Sequence, residues 1–412
     1  MSRLTLHLND AGLTGGPYTV LRPLLWSGAH ALSSGRSARR RDMLSAKRDT
    51  THSVLLLAGA LVILGSCAER ADAQHRPGGS GAATVRGVVR ATTGEAIPYA
   101  SVALLPAFAA RFTDDSGTFV FTGVAPGTYH LVARQVGYTP HDTSIVVEAG
   151  ASVTVAVALE HFVVELSAIT VVGEMARPGG LWRCTNPGVP DSSQDPAGAA
   201  VFDQLRENAQ RYWLLADSYP AFYRLERRFG QHDRDLERLV VRWADTVGLR
   251  TDTRWRYAPG HLLADVPLAR GRTELEVQLP TLPDFADPVF LQNHCFQLEG
   301  LDTIAGGSYV RLDFRAAERI VEPDADGSAY LDPATYLIRY TKVWLTHPER
   351  AATGLSSFQA TVGFREILPN LVLAERISSV QFVYQGSELV EFAEEQRMID
   401  MSFLRALPKR QP

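Results

Sequence analysis

The sequence predicts a mainly β protein: a small antiparallel β-sandwich, then a β-rich (α+β) domain with a curved antiparallel sheet or partial barrel and one main helix. Short runs of β-forming residues recur at regular spacing between turn signals, over 84–160 and again beyond residue 220. The 33 glycines and 23 prolines are spread through the chain, which indicates many turns. A length of 412 residues accommodates two or three domains.

Composition narrows the classes of partner. The chain is 45% hydrophobic and 21% charged, as an ordinary globular protein is. Its formal net charge of −4 provides no electrostatic footprint for nucleic acid, so we expect no nucleic-acid partner.

The N-terminal region indicates export. Residues 1–42 show no periodicity and are interpreted as a non-native or disordered extension, with Met43 as the biological start. Residues 43–73 are interpreted as a signal peptide, because basic residues precede an apolar run over 54–65 that is too short to span a bilayer. We therefore expect the periplasm or outer membrane of a Gram-negative-type bacterium, and no transmembrane helix in the mature chain.

Two cleavage sites remain open. Ala71-Asp-Ala73 before Gln74 has the small-x-small pattern of an ordinary signal peptidase site. Leu64-Gly-Ser-Cys67 resembles the bacterial lipobox, which implies lipidation of Cys67 and membrane association through a lipid anchor.

The remaining cysteines, Cys184 and Cys295, form an even pair in an oxidising compartment, which predicts a disulfide; two separate buried thiols are the alternative. Closing a loop of roughly a hundred residues contributes on the order of 4 kcal/mol in the chain-entropy model. The two cysteines lack CxxC spacing, so a cysteine zinc site is not expected.

The first domain follows a Gly- and Pro-containing linker at 74–83 and is assigned to 84–173. Its β-like runs are 85–89, 99–105, 118–121, 128–133, 143–147 and 152–157, with one further strand at 166–173. Turn residues separate them, as in Asp115-Ser-Gly117 and Pro126-Gly127.

Several motifs over 84–160 carry a family resemblance. They are Gly87-Val-Val, Gly94-Glu-Ala-Ile-Pro98, Thr113-Asp114-Asp-Ser-Gly117-Thr-Phe119, Pro126-Gly127-Thr-Tyr129 and Gly137-Tyr138. In this order they resemble the carboxypeptidase regulatory-like domain, an accessory module found beside carboxypeptidases and before the plug of TonB-dependent receptors. The resemblance implies an Ig-like, prealbumin-like sandwich in which these residues are structural, and it implies no catalytic residue. A receptor barrel of 22 strands does not fit the roughly 230 residues that remain.

A linker at 174–197 containing Cys184 precedes the second domain, 198–405. Val201, Leu205, Ala209, Tyr212 and Ala216 have helical spacing, which predicts an amphipathic helix over 198–216. Phe202 and Trp213 lie beside this stripe, and the aromatic residues are interpreted as core packing.

Strand-like runs fill the rest of the second domain. They lie at 221–229, 239–243, 275–279, 309–314, 327–332, 337–345, 358–364 and 380–384. Arg311 and Asp313 alternate with apolar residues, which predicts one solvent-facing side. If the sheet curves, its apolar face could line a cavity, with these candidates: Leu312, Phe314, Leu337, Tyr340, Val343 and Leu345. The pattern resembles C-terminal regions of bacterial envelope proteins that carry the regulatory-like module and, more weakly, the half-barrels of periplasmic lipoprotein carriers.

Catalytic and metal signatures are absent from the sequence. HxxE, HExxH, GxSxG and GxxxxGK[ST] do not occur. Asp324-Ala-Asp326-Gly327 has its glycine too early for an EF-hand and is interpreted as a hairpin turn. His294 is interpreted as a satisfied polar group beside the disulfide. We therefore expect no cofactor, no bound metal and no catalytic residue.

These features favour a non-enzymatic exported envelope protein with a binding or assembly role. Its partner would be another envelope protein, a lipid or a glycan. A secreted hydrolase with an unrecognised active site and a carbohydrate- or lipid-binding module are the alternatives.

Overall fold

The computed structural model describes residues 3–6, 81–164, 182–233, 238–253, 255–267 and 273–407. The signal segment 43–73 with Cys67, linker residues 74–80 and the predicted strand at 166–173 lie outside the described residues. The described part is mainly β with one main helix, which confirms the predicted fold class.

A sandwich of two sheets forms the first domain. Its strands are β2 (Ala83–Ala91), β3 (Ser101–Leu105), β4 (Phe108–Phe112), β5 (Thr118–Val124), β6 (Gly127–Arg134), β7 (His141–Val147) and β8 (Ser152–Leu159). One sheet has the order β5-β2-β8 and the other β4-β3-β6-β7. The expectation of a purely antiparallel sandwich is wrong for one pair, because β2 and β8 run parallel. Strand β4 was not predicted.

The second domain contains the remaining elements. These are α1 (Pro196–Ser218), β9 (Ala221–Asp233), β10 (Arg238–Arg250), β11 (Leu263–Pro267), β12 (Thr273–Gln278), a 3-10 turn (Leu282–Ala286), α2 (Pro288–Leu291), β13 (His294–Ile304), β14 (Gly307–Ala316), β15 (Ala325–Leu331), β16 (Ile338–Leu345), α3 (Pro348–Ala351), β17 (Leu355–Leu368), β18 (Leu371–Gln385) and β19 (Glu388–Phe403). Nine strands form one sheet in the order β10-β9-β19-β18-β17-β16-β15-β14-β13. Every pair in this sheet is antiparallel.

A separate three-stranded sheet includes a strand from the N-terminal end of the chain. Strand β1 (Arg3–Leu6) pairs antiparallel with β12, and β12 pairs with β11. Residues 1–42 are predicted to lie outside the fold, but Arg3–Leu6 form a strand of this sheet. The physical reason is burial, since Leu4 is fully buried in the core of the second domain.

Helix α1 packs its apolar face on the core of the second domain. The Asp195 side chain caps its N-terminus by accepting a hydrogen bond from the Gly198 N–H, 2.8 Å away. Phe202, on the apolar face, lies 4.6 Å from the ring of Phe296 on β13. The apolar residues of the predicted stripe that are buried in this core are Val201, Leu205 and Ala209.

The polar face of α1 is also buried, because the sandwich covers it. The Gly137 N–H donates a 2.7 Å hydrogen bond to Oε1 of Gln204. Val136, next to Gly137 in the loop after β6, belongs to the core of the second domain. Phe162, which follows β8, packs edge-on against the ring of Tyr336 at 4.7 Å. The sandwich and the second domain are therefore in direct contact, with α1 at the junction.

Cys184 and Cys295 form a disulfide, with their Cα atoms 5.4 Å apart. The bridge joins the segment before α1 to strand β13, at one edge of the nine-stranded sheet. It lies in a small apolar cluster with Ala317 and Ile320. This is the pairing that the cysteine count predicts.

The prediction of a hairpin turn at 324–327 is wrong. Asp326 and Gly327 lie inside β15, paired with β14 and β16. A Cβ at position 327 would lie 2.2 Å from the ring of Phe314 and 2.4 Å from the carbonyl oxygen of Lys342. Glycine stands there because an aromatic ring and a neighbouring strand approach the backbone, which the turn-like Asp-Gly sequence does not reveal.

Candidate ligand pocket

A pocket lies between the C-terminal half of α1 and the nine-stranded sheet. The helix contributes Tyr212 and Trp213. The remaining walls come from β9, the β10–β11 connection, the 3-10 turn with the two residues before it, and strands β16 to β18. These walls consist of Tyr223, Thr253, Trp255, Pro280, Thr281, Leu282, Pro283, Thr341, Val362, Phe364, Leu373 and Ala374. The cavity volume is ≈ 50 Å³. For comparison, a cavity that holds one water molecule needs only about 10–15 Å³.

The lining is aromatic and aliphatic, with threonine as its main polar component. Five of its side chains are aromatic rings, and none carries a carboxylate, imidazole, thiol, amine or guanidinium group. Thr253 is exposed at the rim, whereas Thr341 is buried on the sheet. A pocket of this kind suits an apolar ligand held by ring faces, with hydroxyl groups to orient it.

Burial governs the ionisation of the groups around the pocket. Burial raises the pKa of the Tyr212 phenol, and it raises the pKa of Tyr223 to about 12, so both rings stay neutral at physiological pH. Their hydroxyl groups are therefore hydrogen-bonding groups and not anions.

Asp284 fixes the wall formed by residues 280–283. Its Oδ2 accepts hydrogen bonds from the Thr281 N–H at 2.6 Å and from the Thr281 hydroxyl at 2.9 Å. Burial raises the pKa of Asp284 to about 7, and the two hydrogen bonds from Thr281 oppose this shift. A carboxyl group that changes charge near neutral pH therefore supports one wall of the pocket.

Arg211 holds the helix end that carries Tyr212 and Trp213. Its Nη2 donates a 2.5 Å hydrogen bond to the carbonyl oxygen of Tyr99 in the sandwich, and its Nε donates to the Asn370 carbonyl oxygen at 3.3 Å. The guanidinium also lies 5.2 Å from the ring centre of Phe112. Only 2% of Arg211 is exposed. One buried side chain thus links the sandwich, α1 and the turn between β17 and β18.

The pocket does not lie where the sequence pattern predicts a cavity. Five of its cavity candidates, Leu312, Phe314, Leu337, Val343 and Leu345, are buried in the core, and the sixth, Tyr340, points to the opposite side of β16. None of the six lines the pocket. The interpretation of the aromatic stripe as core packing holds for Phe202 and Tyr212, while Tyr212 and Trp213 also line the pocket.

His294 belongs to a separate, fully buried cluster. Its Nδ1 lies 3.0 Å from the Phe290 carbonyl oxygen and its Nε2 lies 3.1 Å from the Ala325 carbonyl oxygen. Oδ1 of Asp324 is 3.6 Å from Nε2, and Oδ2 accepts a 2.7 Å hydrogen bond from the Tyr257 hydroxyl. His294 and Asp324 have no exposed surface, so this cluster stabilises the fold and is not accessible to a substrate.

The charge on Asp324 is stabilised by its partners. Burial alone would raise its pKa, but hydrogen bonds from His294, the Gly260 N–H and Tyr257 outweigh burial and lower it. Within the described ranges, no group of three or more His, Cys, Asp or Glu side chains is placed to hold a metal ion.

The motif residues that carry the family resemblance all lie in the sandwich, in β2, β5 and β6 or in the segments that join its strands: Gly87, Gly94, Pro98, Thr113, Asp114, Gly117, Phe119, Pro126, Gly127, Tyr129, Gly137 and Tyr138. Oδ1 of Asp114 accepts hydrogen bonds from the N–H groups of Ser116 and Thr118, which forms the turn before β5. The Tyr129 hydroxyl donates to the Ala125 carbonyl oxygen at 2.8 Å. These contacts stabilise turns of the sandwich.

Residues 84–160 match the family model of the carboxypeptidase regulatory-like domain. The sandwich of this chain is therefore a regulatory-like domain, as the motifs predict. The match covers the sandwich and leaves the second domain, with its pocket, outside the family model. A search of curated protein sequences found no match.

Three solved structures that this chain resembles come from bacteria. A domain described as an outer membrane lipoprotein-sorting protein, from Vibrio parahaemolyticus, is 12% identical, with 50% of this chain and 95% of that chain covered and a TM-score of 0.30. A DUF1329 family protein from Desulfovibrio piger is 8% identical, with the same two coverages and a TM-score of 0.27. A DUF3823 family protein from Parabacteroides merdae is 13% identical over 42% of this chain and 80% of that chain, with a TM-score of 0.17.

Among the described residues, no helix combines the length and the apolar character needed to cross a membrane.

Proposed function

We propose that this chain is a non-enzymatic binding protein of the bacterial cell envelope, exported to the periplasm or outer membrane, and that it binds an apolar ligand in the pocket beside α1. The observation that carries this proposal is the lining of the pocket. Its aromatic and aliphatic walls offer contact area for an acyl chain or a hydrophobic ring system, with threonine hydroxyls as the polar contacts.

Two further features support an extracytoplasmic binding role. A disulfide between residues 111 positions apart suits an oxidising compartment. The regulatory-like domain covers the polar face of α1, so it acts as a structural accessory to the domain that contains the pocket. The signal peptide predicted at 43–73 is consistent with the same location.

The pocket lining favours binding over hydrolysis. A hydrolase needs a nucleophile, a base or a metal-bound water beside its substrate. The side chains that line the pocket include no His, Cys, Asp, Glu or Lys. Asp284 lies behind the lining, is buried, and is held by two hydrogen bonds from Thr281. The cluster of His294, Asp324 and Tyr257, which has acid–base side chains, is buried away from solvent.

The test is binding of a neutral apolar dye, N-phenyl-1-naphthylamine, to the purified full chain, followed by displacement with palmitic acid. We expect saturable dye fluorescence that palmitic acid reverses. Ala374→Trp, which fills the pocket from β18, should weaken dye binding at least tenfold, and Thr253→Trp should do the same by blocking the exposed rim.

Ser378→Trp is the matched control, because Ser378 lies on the same strand but is exposed and does not line the pocket. It should leave dye binding unchanged. Equal dye binding by all three tryptophan variants would contradict the pocket as the binding site. Hydrolysis of a generic ester substrate that Ala374→Trp abolishes would favour the enzyme alternative.

A further inference from the structure

Strand β12 has one partner that comes from the far N-terminal end of the chain. In the order β1-β12-β11, strand β1 occupies one side of β12 and leaves no other described strand there. The register places Leu4 opposite Val277 and Thr5 opposite Glu276. Leu4 is fully buried, so this edge combines backbone pairing with a socket for one apolar side chain.

The exported form of the chain would lack this strand. Both a start at Met43 and cleavage before Cys67 or Gln74 remove Arg3–Leu6. The edge of β12 would then expose unpaired N–H and C=O groups next to the apolar socket. Such an edge readily accepts another strand.

The segment that would become the new N-terminus does not suit the edge. Residues 74–82 read Gln-His-Arg-Pro-Gly-Gly-Ser-Gly-Ala, with no side chain that matches a leucine in the socket. Its glycines and its proline disfavour a strand. A second copy of β12 is also unsuitable, because antiparallel pairing would bring two Glu276 carboxylates to one face of the pair.

We propose that in the exported chain the edge of β12 binds an extended segment of a partner protein by strand addition. The segment runs antiparallel to β12, carries an apolar residue opposite Val277, and has uncharged or basic residues at the flanking positions. Charge supports the last point, since β1, which fills this edge in the full chain, places the uncharged Thr5 opposite Glu276 and the basic Arg3 opposite Gln278. This binding surface is separate from the apolar pocket, and the inference rests on the export that is part of the proposed function.

The test uses the chain purified from its native envelope fraction, with its N-terminus fixed by intact mass spectrometry. The probe is a fluorescent peptide with the sequence of residues 1–10, Met-Ser-Arg-Leu-Thr-Leu-His-Leu-Asn-Asp, followed by fluorescence anisotropy. We expect this peptide to bind at least tenfold more tightly than the same peptide with Leu4→Asp. Bound peptide should also slow hydrogen exchange of the amides in β12.

The recombinant full chain provides the matched control, because its own β1 fills the edge. It should bind the peptide at least tenfold more weakly than the processed chain, and Leu4→Asp in the full chain should restore binding. The proposal fails if the processed chain binds both peptides equally or neither, if the native chain retains residues 3–6, or if it dimerises through β12. Dye binding to the pocket, measured in the same samples, tests the proposed function separately.

Discussion

Arg211 connects three parts of the molecule at a single buried side chain. Replacing it with methionine keeps an apolar stem but removes the donors to the Tyr99 and Asn370 carbonyl oxygens. It also removes a positive charge that favours the ionised form of buried Glu207. We expect Arg211→Met to lower the free energy of unfolding by about 3 kcal/mol, measured by urea denaturation.

Arg206→Ala on the same helix is the control for this prediction. Arg206 is partly exposed and pairs with Asp203 at the surface, at 2.6 Å. The change should cost less than about 1 kcal/mol. A similar loss in both variants would mean that the buried contacts of Arg211 contribute little.

Asp284 predicts a pH dependence of stability. Its pKa in the folded chain is about 7, above its ordinary value of 3.8, so the folded state binds the extra proton. The contribution of Asp284 to the free energy of unfolding is therefore complete at low pH, and it is lost as the pH rises from about 4 to about 7. The slope from one such group approaches about 1.4 kcal/mol per pH unit.

Asp284→Asn should remove this slope, because an amide oxygen can still accept hydrogen bonds from Thr281 but does not titrate. Urea denaturation at several pH values measures it. Asp287→Asn is the matched control, since Asp287 is more exposed and caps α2 with its side chain. An unchanged slope in Asp284→Asn would assign the pH dependence to other groups.

Whether a charged side chain is buried or exposed was the hardest property to predict from the sequence. Arg311 and Asp313 alternate with apolar residues as a solvent-facing side would, yet they are 7% and 0% exposed. Two hydrogen bonds join them, at 2.7 and 2.8 Å, and Ser328 donates a third to Asp313. Alternation reports which residues share a face, but what covers that face depends on distant segments.

At the scale of elements, the disulfide closes a loop that contains α1 and strands β9 to β12. Cys184→Ser together with Cys295→Ser should lower the free energy of unfolding by about 4 kcal/mol in the chain-entropy model. Denaturation of the oxidised wild type and the double variant measures the difference. Cys67→Ser is the control and should not change the free energy of unfolding.

The helix and most strands were predictable, whereas β1, β4, β11, β13 and β19 were not assigned. The helix predicted over 198–216 is α1, which the structure extends by two residues at each end. Strand β19 contains Glu, Gln and Met, which favour helices. It is a strand because β18 and β9 pair with it on both sides, and such tertiary pairing overrides local propensity.

At the scale of the whole molecule, Gly137 tests whether the sandwich is docked. It has a φ of +79° and a Cβ there would lie 2.6 Å from the Thr335 carbonyl oxygen. Gly137→Ala should therefore undock the regulatory-like domain and separate one calorimetric unfolding transition into two. Gly150→Ala is the control, because Gly150 has a φ of +71° with no atom within 4 Å of such a Cβ.

Gly150→Ala carries only the conformational cost of a positive φ, about 1–2 kcal/mol. It should leave the transition single. If Gly137→Ala behaves in the same way, the two domains do not depend on this contact.

The sandwich could be predicted in detail because its turn motifs are local in sequence. The pocket could not, since its walls come from residues between 212 and 374 that meet only in the folded domain. In the sequence, an aromatic pair on a helix and two prolines near a turn look the same as residues that only pack in a core.

The disulfide also determines how the protein would respond to tension. If the chain is tethered on its N-terminal side, a pull transmitted along the backbone reaches Cys184 before α1. The covalent path then crosses directly to Cys295 on β13 and bypasses the 111-residue separation. Helix α1 and strands β9 to β12 cannot be drawn out between the bridged cysteines, so the pocket walls formed by α1, β9, the β10–β11 connection and residues 280–283 would be protected from mechanical unfolding.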